Sequence, residues 1–244
     1  MRTYDPISVL KAVATDVWIV DGPVIRMGML GFGVPFPTRM TIVRLGRRDL
    51  FIHSPTAPTP ELKAQVEELG IPRYVIGPSW LHYWWVPDWK RAFPDVRVFL
   101  ADGVRKRAGA RIDFDTEPLK ADRGYPWDEA IHTLPAKGRF GTEVIFFHKE
   151  SGTLILTDFI ENFEPHRVDS PLVRFLTYVG GVQDPQGGMP RDMRLTYSRE
   201  VLRRAVETML AWGPERIIIA HGRWYERNGV AELRRAFHWA LKGE

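Results

Sequence analysis

Four side chains that can bind a metal ion follow apolar runs of the sequence. His53 ends the run "DLFIH", His82 comes shortly after "RYVIG", Asp158 ends "GTLILTD" and His221 ends "RIIIAH". Each run has the length and composition of a buried strand. Because ligands gather at the carboxyl ends of strands in α/β sheets, we expect these four side chains to lie near one another.

The residue types limit the chemistry of such a site. Imidazole and carboxylate suit zinc, iron or manganese, and two histidines with one carboxylate are sufficient to hold an ion with open positions. The chain has no cysteine, which excludes disulfides and thiolate ligands. It also lacks a G-x-S-x-G nucleophile motif and a phosphate-binding loop. The cofactor expected is therefore one divalent ion, zinc, iron or manganese, or no metal at all.

The amino-acid composition limits the classes of partner that are expected for the protein. A hydrophobic share of 44% and a charged share of 26% are typical of a globular protein. The net charge is +4, but the basic residues are scattered and form no stripe, so no nucleic-acid partner is expected. No apolar run is long enough to cross a bilayer, and no signal-peptide core is present, which favours a cytoplasmic protein with no membrane partner. A small-molecule ligand is expected, and the oligomeric state is left open.

The first half of the chain predicts strands alternating with helices. Five segments share the composition of strands: 16–22, 39–45, 49–55, 73–77 and 96–101. A helix should begin after Thr59 and end at Gly70, and "VPDWKRAF" predicts a shorter one. Residues 22–38 are rich in Gly and Pro and predict a loop or irregular hairpin.

The second half predicts three short strands, a helix near 170–178 and a long loop. A helix from Ser198 to about Trp212, a strand over 216–222 and a last helix at about 229–241 complete the order. Two similar β-rich and α/β halves predict an α/β fold, a four-layer αββα sandwich. The expected domain organisation is a single domain over 1–244.

Several segments carry a family resemblance. They are "PTRMTIVRL", "LFIHSPTAPTPELKAQVEELG", "IGPSWLHYWWVPDWKRAFPDVRVFLADG", "EVIFFHKESGTLILTDFIEN" and "IIIAHG". Together they resemble a divergent, poorly characterised family of the metallo-β-lactamase-fold superfamily. The resemblance covers most of the chain and implies a fold of the metallo-β-lactamase type.

The resemblance also implies a degenerate metal motif. The H-x-H-x-D-H motif of the superfamily falls on 78–83, where Pro78 and Trp80 replace the two leading histidines. His82 takes the aspartate position and Tyr83 the final histidine position. The segment 135–141, where another histidine of the first metal site would fall, has none. The first metal site is thus expected to be lost.

The second metal site of the superfamily is better matched. Asp158 corresponds to its bridging aspartate and His221 to its last histidine, so the resemblance implies a mononuclear site of His82, Asp158 and His221. Tyr83 is expected to act as a weak fourth ligand or a hydrogen-bond donor to a bound anion. His53 matches the position of an outer acid and is expected to orient a ligand.

Other residues are candidates for substrate contacts. Several aromatic side chains are expected near the cleft: Trp80, Trp84, Trp85, Trp224, Phe32 and Phe36. If they face the cleft, an apolar or aromatic ligand is favoured. An anionic group of that ligand would then be held by Arg39, Arg139 or Arg223.

Two functions remain open on this basis. One is a hydrolase-like protein in which a mononuclear metal site activates water. The other is a non-catalytic ligand-binding or scaffold protein that keeps the fold but has lost its metal chemistry, because a fold alone does not determine a function.

Overall fold

The structure is a computed structural model that describes residues 1–29 and 32–241. Its first sheet runs in the order β1-β2-β3-β4-β5-β6-β7. The strands are β1 (Lys11–Ala14), β2 (Val17–Met29), β3 (Phe32–Leu45), β4 (Asp49–His53), β5 (Ile71–Gly77), β6 (Arg97–Ala101) and β7 (Glu117–Leu119). Neighbours from β1 to β4 pair antiparallel, and those from β4 to β7 pair parallel. The parallel half places the carboxyl ends of β4 and β5 at one edge.

The second sheet has the order β11-β10-β9-β8. Its strands are β8 (Ile131–Lys137), β9 (Thr142–His148), β10 (Thr153–Ile155) and β11 (Arg216–Ile218). The first three form an antiparallel meander, and β11 joins β10 in parallel. The chain therefore leaves β10 and β11 in the same direction, toward Asp158 and His221.

Helices flank the two sheets. They are α1 (Pro60–Leu69), α2 (Val86–Ala92), α3 (Val104–Ala108), α4 (Pro171–Gly180), α5 (Arg191–Arg194), α6 (Arg199–Trp212), α7 (Gly229–Ala236) and α8 (His238–Leu241). The first three pack on the first sheet, and α6, α7 and α8 pack on the second. Short 3₁₀ turns occur at Gly109–Arg111 and Pro165–Arg167.

The alternation of side chains along β9 shows how the layers fit. Val144 and Phe146 belong to the core between the sheets, whereas Ile145 and Phe147 belong to the core beneath α6 and α7. Successive strand residues point to opposite faces, so a strand buried on both faces is apolar throughout. The α/β sandwich with αββα layers is therefore confirmed.

The strands of the long hairpin extend beyond the segments 16–22 and 39–45 that were predicted as strands. Residues 22–38, predicted as a loop or irregular hairpin, lie largely within β2 and β3, which pair from Val17↔Val43 to Met29↔Phe32. β4 pairs only with residues 41–45 of β3, so Pro35 and Pro37 lie where β3 has one partner. Proline is tolerated there because its missing N–H leaves no ladder bond unmade.

The other predicted elements are largely present. Thr59 and Ser198 cap α1 and α6 by accepting hydrogen bonds from Leu62 N and Val201 N. The predicted last helix divides at Phe237 into α7 and α8. Among residues 1–29 and 32–241, no helix is both long and apolar enough to cross a bilayer.

Candidate metal centre

Three side chains converge at the edge of the sandwich where β5, β10 and β11 end. His82 Nε2 lies 3.0 Å from Asp158 Oδ1, and His221 Nε2 lies 3.4 Å from the same oxygen. One ligand atom from each residue lies within 4.8 Å of the others. The imidazole rings have centroids 5.0 Å apart, and the side chains of His82, Asp158 and His221 are 8%, 5% and 5% exposed. The sequence-predicted trio is thus brought together.

Arg39 and Pro37 of β3 hold the loop that carries His221. The Pro37 carbonyl accepts a hydrogen bond of 2.6 Å from His221 Nδ1. The Arg39 guanidinium donates through Nη1 to the carbonyls of Ile219 and Gly222, at 2.9 and 2.8 Å, one on each side of His221. The rest of the guanidinium pairs with Asp21. The ring orientation of His221 therefore depends on the hairpin, far away in sequence.

Gly222 lets this loop lie against the chain after Asp158. Its φ is +93°, and a Cβ there would meet the Asn162 carbonyl oxygen at 2.1 Å. Only glycine adopts this backbone conformation at no steric cost. The Arg223 N–H then donates to Asn162 O at 2.8 Å, which closes the loop.

Glu143 of β9 positions Asp158. Its carboxylate accepts hydrogen bonds from the backbone N–H groups of Thr157, Asp158 and Phe159, with donor–acceptor distances of 2.9 to 3.3 Å. One side chain thus fixes three successive peptide groups. The turn after β10 holds the Asp158 carboxylate toward the two imidazoles.

Ser54 supports His82. The Ser54 Oγ lies 2.8 Å from His82 Nδ1, so the other ring nitrogen faces Asp158. The loop before His82 is also tied to the second sheet, because Val144 N donates to Pro78 O at 2.8 Å. Each imidazole therefore has an outer partner that orients it, as metal-ligating histidines usually do.

The donor set fits a bound cation. Because the Pro37 carbonyl can only accept, Nδ1 of His221 carries a proton, and Nε2 is the ring nitrogen that faces Asp158. A positive charge at Nε2, carried by a proton or by a bound ion, would face the Asp158 carboxylate oxygen at 3.4 Å. The 3.0 and 3.4 Å separations also match those of ligand atoms that are each about 2.1 Å from a shared ion.

The electrostatics concentrate negative charge on Asp158. Burial alone would raise the pKa of Asp158, but the charges and hydrogen bonds of His82 and His221 hold it well below its usual range. Burial, together with the charge of Asp158, raises the pKa of Glu143 to about 8, against the opposing N–H bonds. Burial likewise raises the pKa of Glu161 to about 8, although the charge of His221 opposes the rise. The negative charge beside the two imidazoles therefore lies chiefly on Asp158.

A small cavity adjoins His82 and His221. Its volume is about 20 Å³, which is room for about one water molecule. Its lining is mostly apolar and comprises Ile25, Thr38, Ser54, Pro55, Leu81, His82, Trp84, Trp85 and His221. A groove of about 380 Å³ lies elsewhere, between β8 and α6, and contains none of the three ligand candidates.

Two predicted site residues have other positions. His53 is 1% exposed and packs edge-on against Phe146, and its Nε2 has no hydrogen-bond partner among the described residues. Burial and the charge of His82 lower the pKa of His53 to about 3. The expectation that His53 orients a ligand is therefore corrected: the next residue, Ser54, contacts His82. Tyr83 is buried in the core with its ring 5.8 Å from the Arg111 guanidinium, and it is not among the described residues that line the cavity; its role as a fourth ligand or hydrogen-bond donor stays a prediction.

The predicted aromatic cleft is only partly present. Trp84 and Trp85 line the cavity, and the Phe36 ring lies 5.2 Å from that of His221. Trp80 instead packs on the 138–141 turn, where a Cβ on Gly141 would lie 3.2 Å from its ring. The indole thus occupies space between the two segments expected to have lost the first metal site.

The other two aromatic candidates do not contribute to a described cleft. Trp224 packs against the cores on both faces of the second sheet, and the Phe32 side chain lies outside the described residues.

The arginines expected to hold an anion have other partners. Arg39 is buried and its donors are engaged by Asp21 and backbone carbonyls, so it supports the His221 loop instead. Arg223 pairs with Asp184 at 3.0 Å, and the Arg139 guanidinium lies 5.5 Å from the Phe140 ring. Neither is among the described residues that line the small cavity.

Sequence reasoning missed the residues that hold the ligands in place. Ser54, Pro37 and Glu143 make these contacts, and none belongs to a recognisable motif. A weak signal exists for Glu143, an acid inside the otherwise apolar run "TEVIFF". A buried carboxylate needs hydrogen-bond donors, which here are the peptide groups next to Asp158.

Comparison with solved structures identifies the fold of the chain. DIM-1 metallo-beta-lactamase superimposes with a TM-score of 0.64 at 13% identity, over 98% of each chain. The mono-zinc form of the metallo-beta-lactamase FIM-1 from Pseudomonas aeruginosa gives 0.59 at 13% identity, over 96% of each chain. The metal-soaked Flv1 flavodiiron core from Synechocystis sp. PCC6803 gives 0.61 at 10% identity, over 96% of this chain and 60% of that one. The protein therefore has the metallo-β-lactamase fold.

The sequence family is more specific than the fold. Residues 16–171, more than half of the chain, match the family described as Domain of unknown function (DUF4336), and the chain belongs to that family. No protein of curated function matches the sequence significantly. The low identities to solved structures and the family match agree with the divergent family of this fold that was expected from the sequence.

Proposed function

We propose that the protein is a metal-dependent hydrolase with a mononuclear site formed by His82, Asp158 and His221. The observation that carries the proposal is the convergence of the three ligand atoms within 4.8 Å at the edge of the sandwich. A divalent ion held there would lower the pKa of a bound water and polarise the scissile bond. The mono-zinc form of FIM-1 supports the idea that this fold can hold a single ion.

The residues of the chain define what the site can do. Asp158 supplies the negative charge, His82 and His221 supply neutral nitrogen donors, and Ser54 and Pro37 orient the two rings. Zinc, iron and manganese all accept this donor set. The cavity beside the imidazoles has room for about one water molecule, as expected for a hydrolytic nucleophile.

The walls of the cavity favour an apolar substrate. Ile25, Pro55 and Leu81 surround the imidazoles together with the indoles of Trp84 and Trp85. Trp84 is 48% exposed, so its side chain can turn outward without disturbing a packed core. We infer that a substrate reaches the site past Trp84 and places an apolar or aromatic group against these walls.

Metal content provides the direct test. Protein stripped with EDTA and dialysed against zinc, iron(II) or manganese(II) should retain close to one ion per chain, measured by plasma mass spectrometry. His221→Ala should lose most of this ion, because two protein ligands remain. His238→Ala is the matched control, since His238 is exposed on α8 and should leave the metal content unchanged.

Activity is measured on the same samples. Chromogenic p-nitrophenyl esters with acetyl, octanoyl and benzoyl groups should be hydrolysed by the loaded protein and not by His221→Ala. Retention of none of the three metals would contradict the proposal. Binding of one ion without hydrolysis of any ester would leave a metal-binding protein and contradict the hydrolase.

One observation favours a second function. His82 Nε2 already lies 3.0 Å from Asp158, so a proton on His82 would close the trio without a metal. In that case the protein would be a non-catalytic ligand-binding or scaffold protein. It would then bind no metal, and His82→Ala would lower stability without changing binding of its ligand.

A further inference from the structure

Helix α4 turns most of its apolar side chains toward solvent. Leu172, Phe175, Leu176 and Val179 recur at the i, i+3, i+4, i+7 spacing of one helix face, and Tyr178 lies beside them. Their exposed fractions are 66%, 60%, 48%, 44% and 69% for Leu172, Phe175, Leu176, Val179 and Tyr178. These five residues are called the α4 face below. Such faces normally pack against a core, and the described residues do not cover this one.

The opposite side of α4 is already packed against its own chain. Val173 contacts the small core formed by Phe163, Val168 and Val182. Thr177 is buried, and its hydroxyl accepts a hydrogen bond from Gln183 Nε2 at 2.9 Å. The helix therefore cannot bury the α4 face in this core by rotation without losing these contacts.

Both ends of α4 are also fixed. Ser170 caps the first turn by accepting from Val173 N, and Gly181 ends the helix in the left-handed conformation with φ +72°. Because the helix is held at both ends and from beneath, its apolar face needs a partner other than the residues that the structure describes.

The size of the α4 face suits a protein partner. Its exposed side-chain area is about 600 Å², taking the usual areas of such side chains. A stable interface takes about 800 Å² from each partner, so the α4 face and a modest rim are sufficient. An apolar centre with a polar rim is the usual anatomy of such an interface.

The charges around α4 favour self-association over a lipid surface. Arg174 is the one charged residue of α4, and its guanidinium donates to Val168 O at 2.9 Å. Asp169, just before the helix, pairs with Arg2, whereas Arg191 lies beside Gly181 at the other end. Helices that lie on membranes carry many Lys and Arg residues on their polar side, and α4 does not.

We propose that the α4 face is a dimer interface in which two copies of this chain pair their α4 helices antiparallel about a two-fold axis. Phe175 and Leu176 lie near the axis, and Leu172 of one copy faces Val179 of the other. The negative end of one helix then approaches the positive end of its mate, which favours the antiparallel arrangement.

The molar mass of the protein in solution provides the first test. Light scattering after size exclusion should give twice the 28.1 kDa of the chain for the wild type. Phe175→Glu should give the mass of one chain, because it places a charge in the apolar centre. Phe140→Glu is the matched control: Phe140 is 62% exposed, close to the 60% of Phe175, but lies on the turn between β8 and β9. Circular dichroism confirms that both variants fold.

A cross-link identifies the contacting surface directly. The chain has no cysteine, so one introduced residue gives an unambiguous product. Leu176→Cys should form a disulfide-linked dimer under mild oxidation, whereas Phe140→Cys should stay monomeric on a non-reducing gel. This variant keeps the helix apolar and so tests the geometry without adding a charge.

Three results would overturn the proposal. The first is a wild-type protein that stays monomeric at every concentration measured. The second is a dimer that survives Phe175→Glu and does not cross-link through Leu176→Cys. The third is a monomer that sediments with vesicles of phosphatidylcholine and phosphatidylglycerol through Phe175, which would make a membrane the occupant of the α4 face.

Discussion

Replacing Arg39 by lysine should weaken metal binding although Arg39 does not touch the three ligands. The Arg39 side chain is 2% exposed and pairs with Asp21. It also donates to the carbonyls of Ile219 and Gly222, which flank His221. A lysine keeps a positive charge for Asp21, but its single ammonium cannot reproduce the planar fork that spans the carboxylate and both carbonyls. The His221 loop would lose its outer support.

The magnitude follows from the bonds that are lost. Leaving a buried carbonyl without a donor costs about 1–3 kcal/mol. With two carbonyls affected and partial relaxation of the loop, we expect Arg39→Lys to lower the free energy of unfolding by about 2–4 kcal/mol. Loss of the groups that orient a ligand typically lowers metal affinity about 10- to 100-fold. The zinc affinity of Arg39→Lys should therefore be about 10- to 100-fold lower than that of the wild type.

Two measurements separate these effects. Urea unfolding of EDTA-treated protein, followed by circular dichroism, gives the stability without metal. Zinc titration by calorimetry at a temperature where both proteins are folded gives the affinity. Arg44→Lys is the matched control, because Arg44 is on the same strand and pairs with Asp16 near the surface. It should change stability by at most about 1 kcal/mol and leave zinc affinity unchanged.

The reasoning is wrong if Arg39→Lys leaves zinc affinity unchanged. An Arg39→Lys protein that is less stable but binds zinc as tightly as the wild type would mean that Arg39 only holds the hairpin and does not position His221. An equal loss of affinity in Arg44→Lys would point to a general loosening of β3.

Two further predictions concern neighbouring groups. Ser54→Ala should lower zinc affinity about tenfold in calorimetry with little loss of stability, because it removes the oxygen 2.8 Å from His82 Nδ1; an unchanged affinity would show that the ring is oriented without it. In EDTA-treated protein, the free energy of unfolding should fall less with rising pH in Glu161→Gln than in the wild type. Burial raises the pKa of Glu161 from 4.5 to about 8, so between these values the folded state binds more protons than the unfolded state, and rising pH favours unfolding. The difference in pH dependence between the two proteins should reach the order of a few kcal/mol in urea unfolding at pH 5 and pH 8; parallel curves would contradict the burial argument.

The sequence predicted the fold through patterns that span only a few residues. The apolar runs before His82, Asp158 and His221 form strands that end at one edge, because β-branched residues with turn signals at their borders specify strands locally. Caps such as Thr59 and Ser198 mark helix starts for the same local reason. The sequence left a loop and an irregular hairpin open for residues 22–38, and the pairing of β2 with β3, which shifts register between Asp21 and Val24, decided for the hairpin.

The details of the site depended on contacts between distant parts of the chain. His53 and Ser54 are adjacent, and the fold rather than the sequence decides that Ser54 reaches His82 while His53 is buried against Phe146. The packing of Trp80 on Gly141 likewise required the two sheets to be assembled.

By itself, the sequence determined which residues could be ligands and that their strands would end together. The tertiary structure alone decided what orients those ligands. His221 donates to Pro37, which is 184 residues away in the chain. The tertiary structure alone also decided that α4 would expose its apolar face. The physical reason is that strand and helix periodicity depends on near neighbours, whereas the partner of a buried polar group depends on which distant segments pack together.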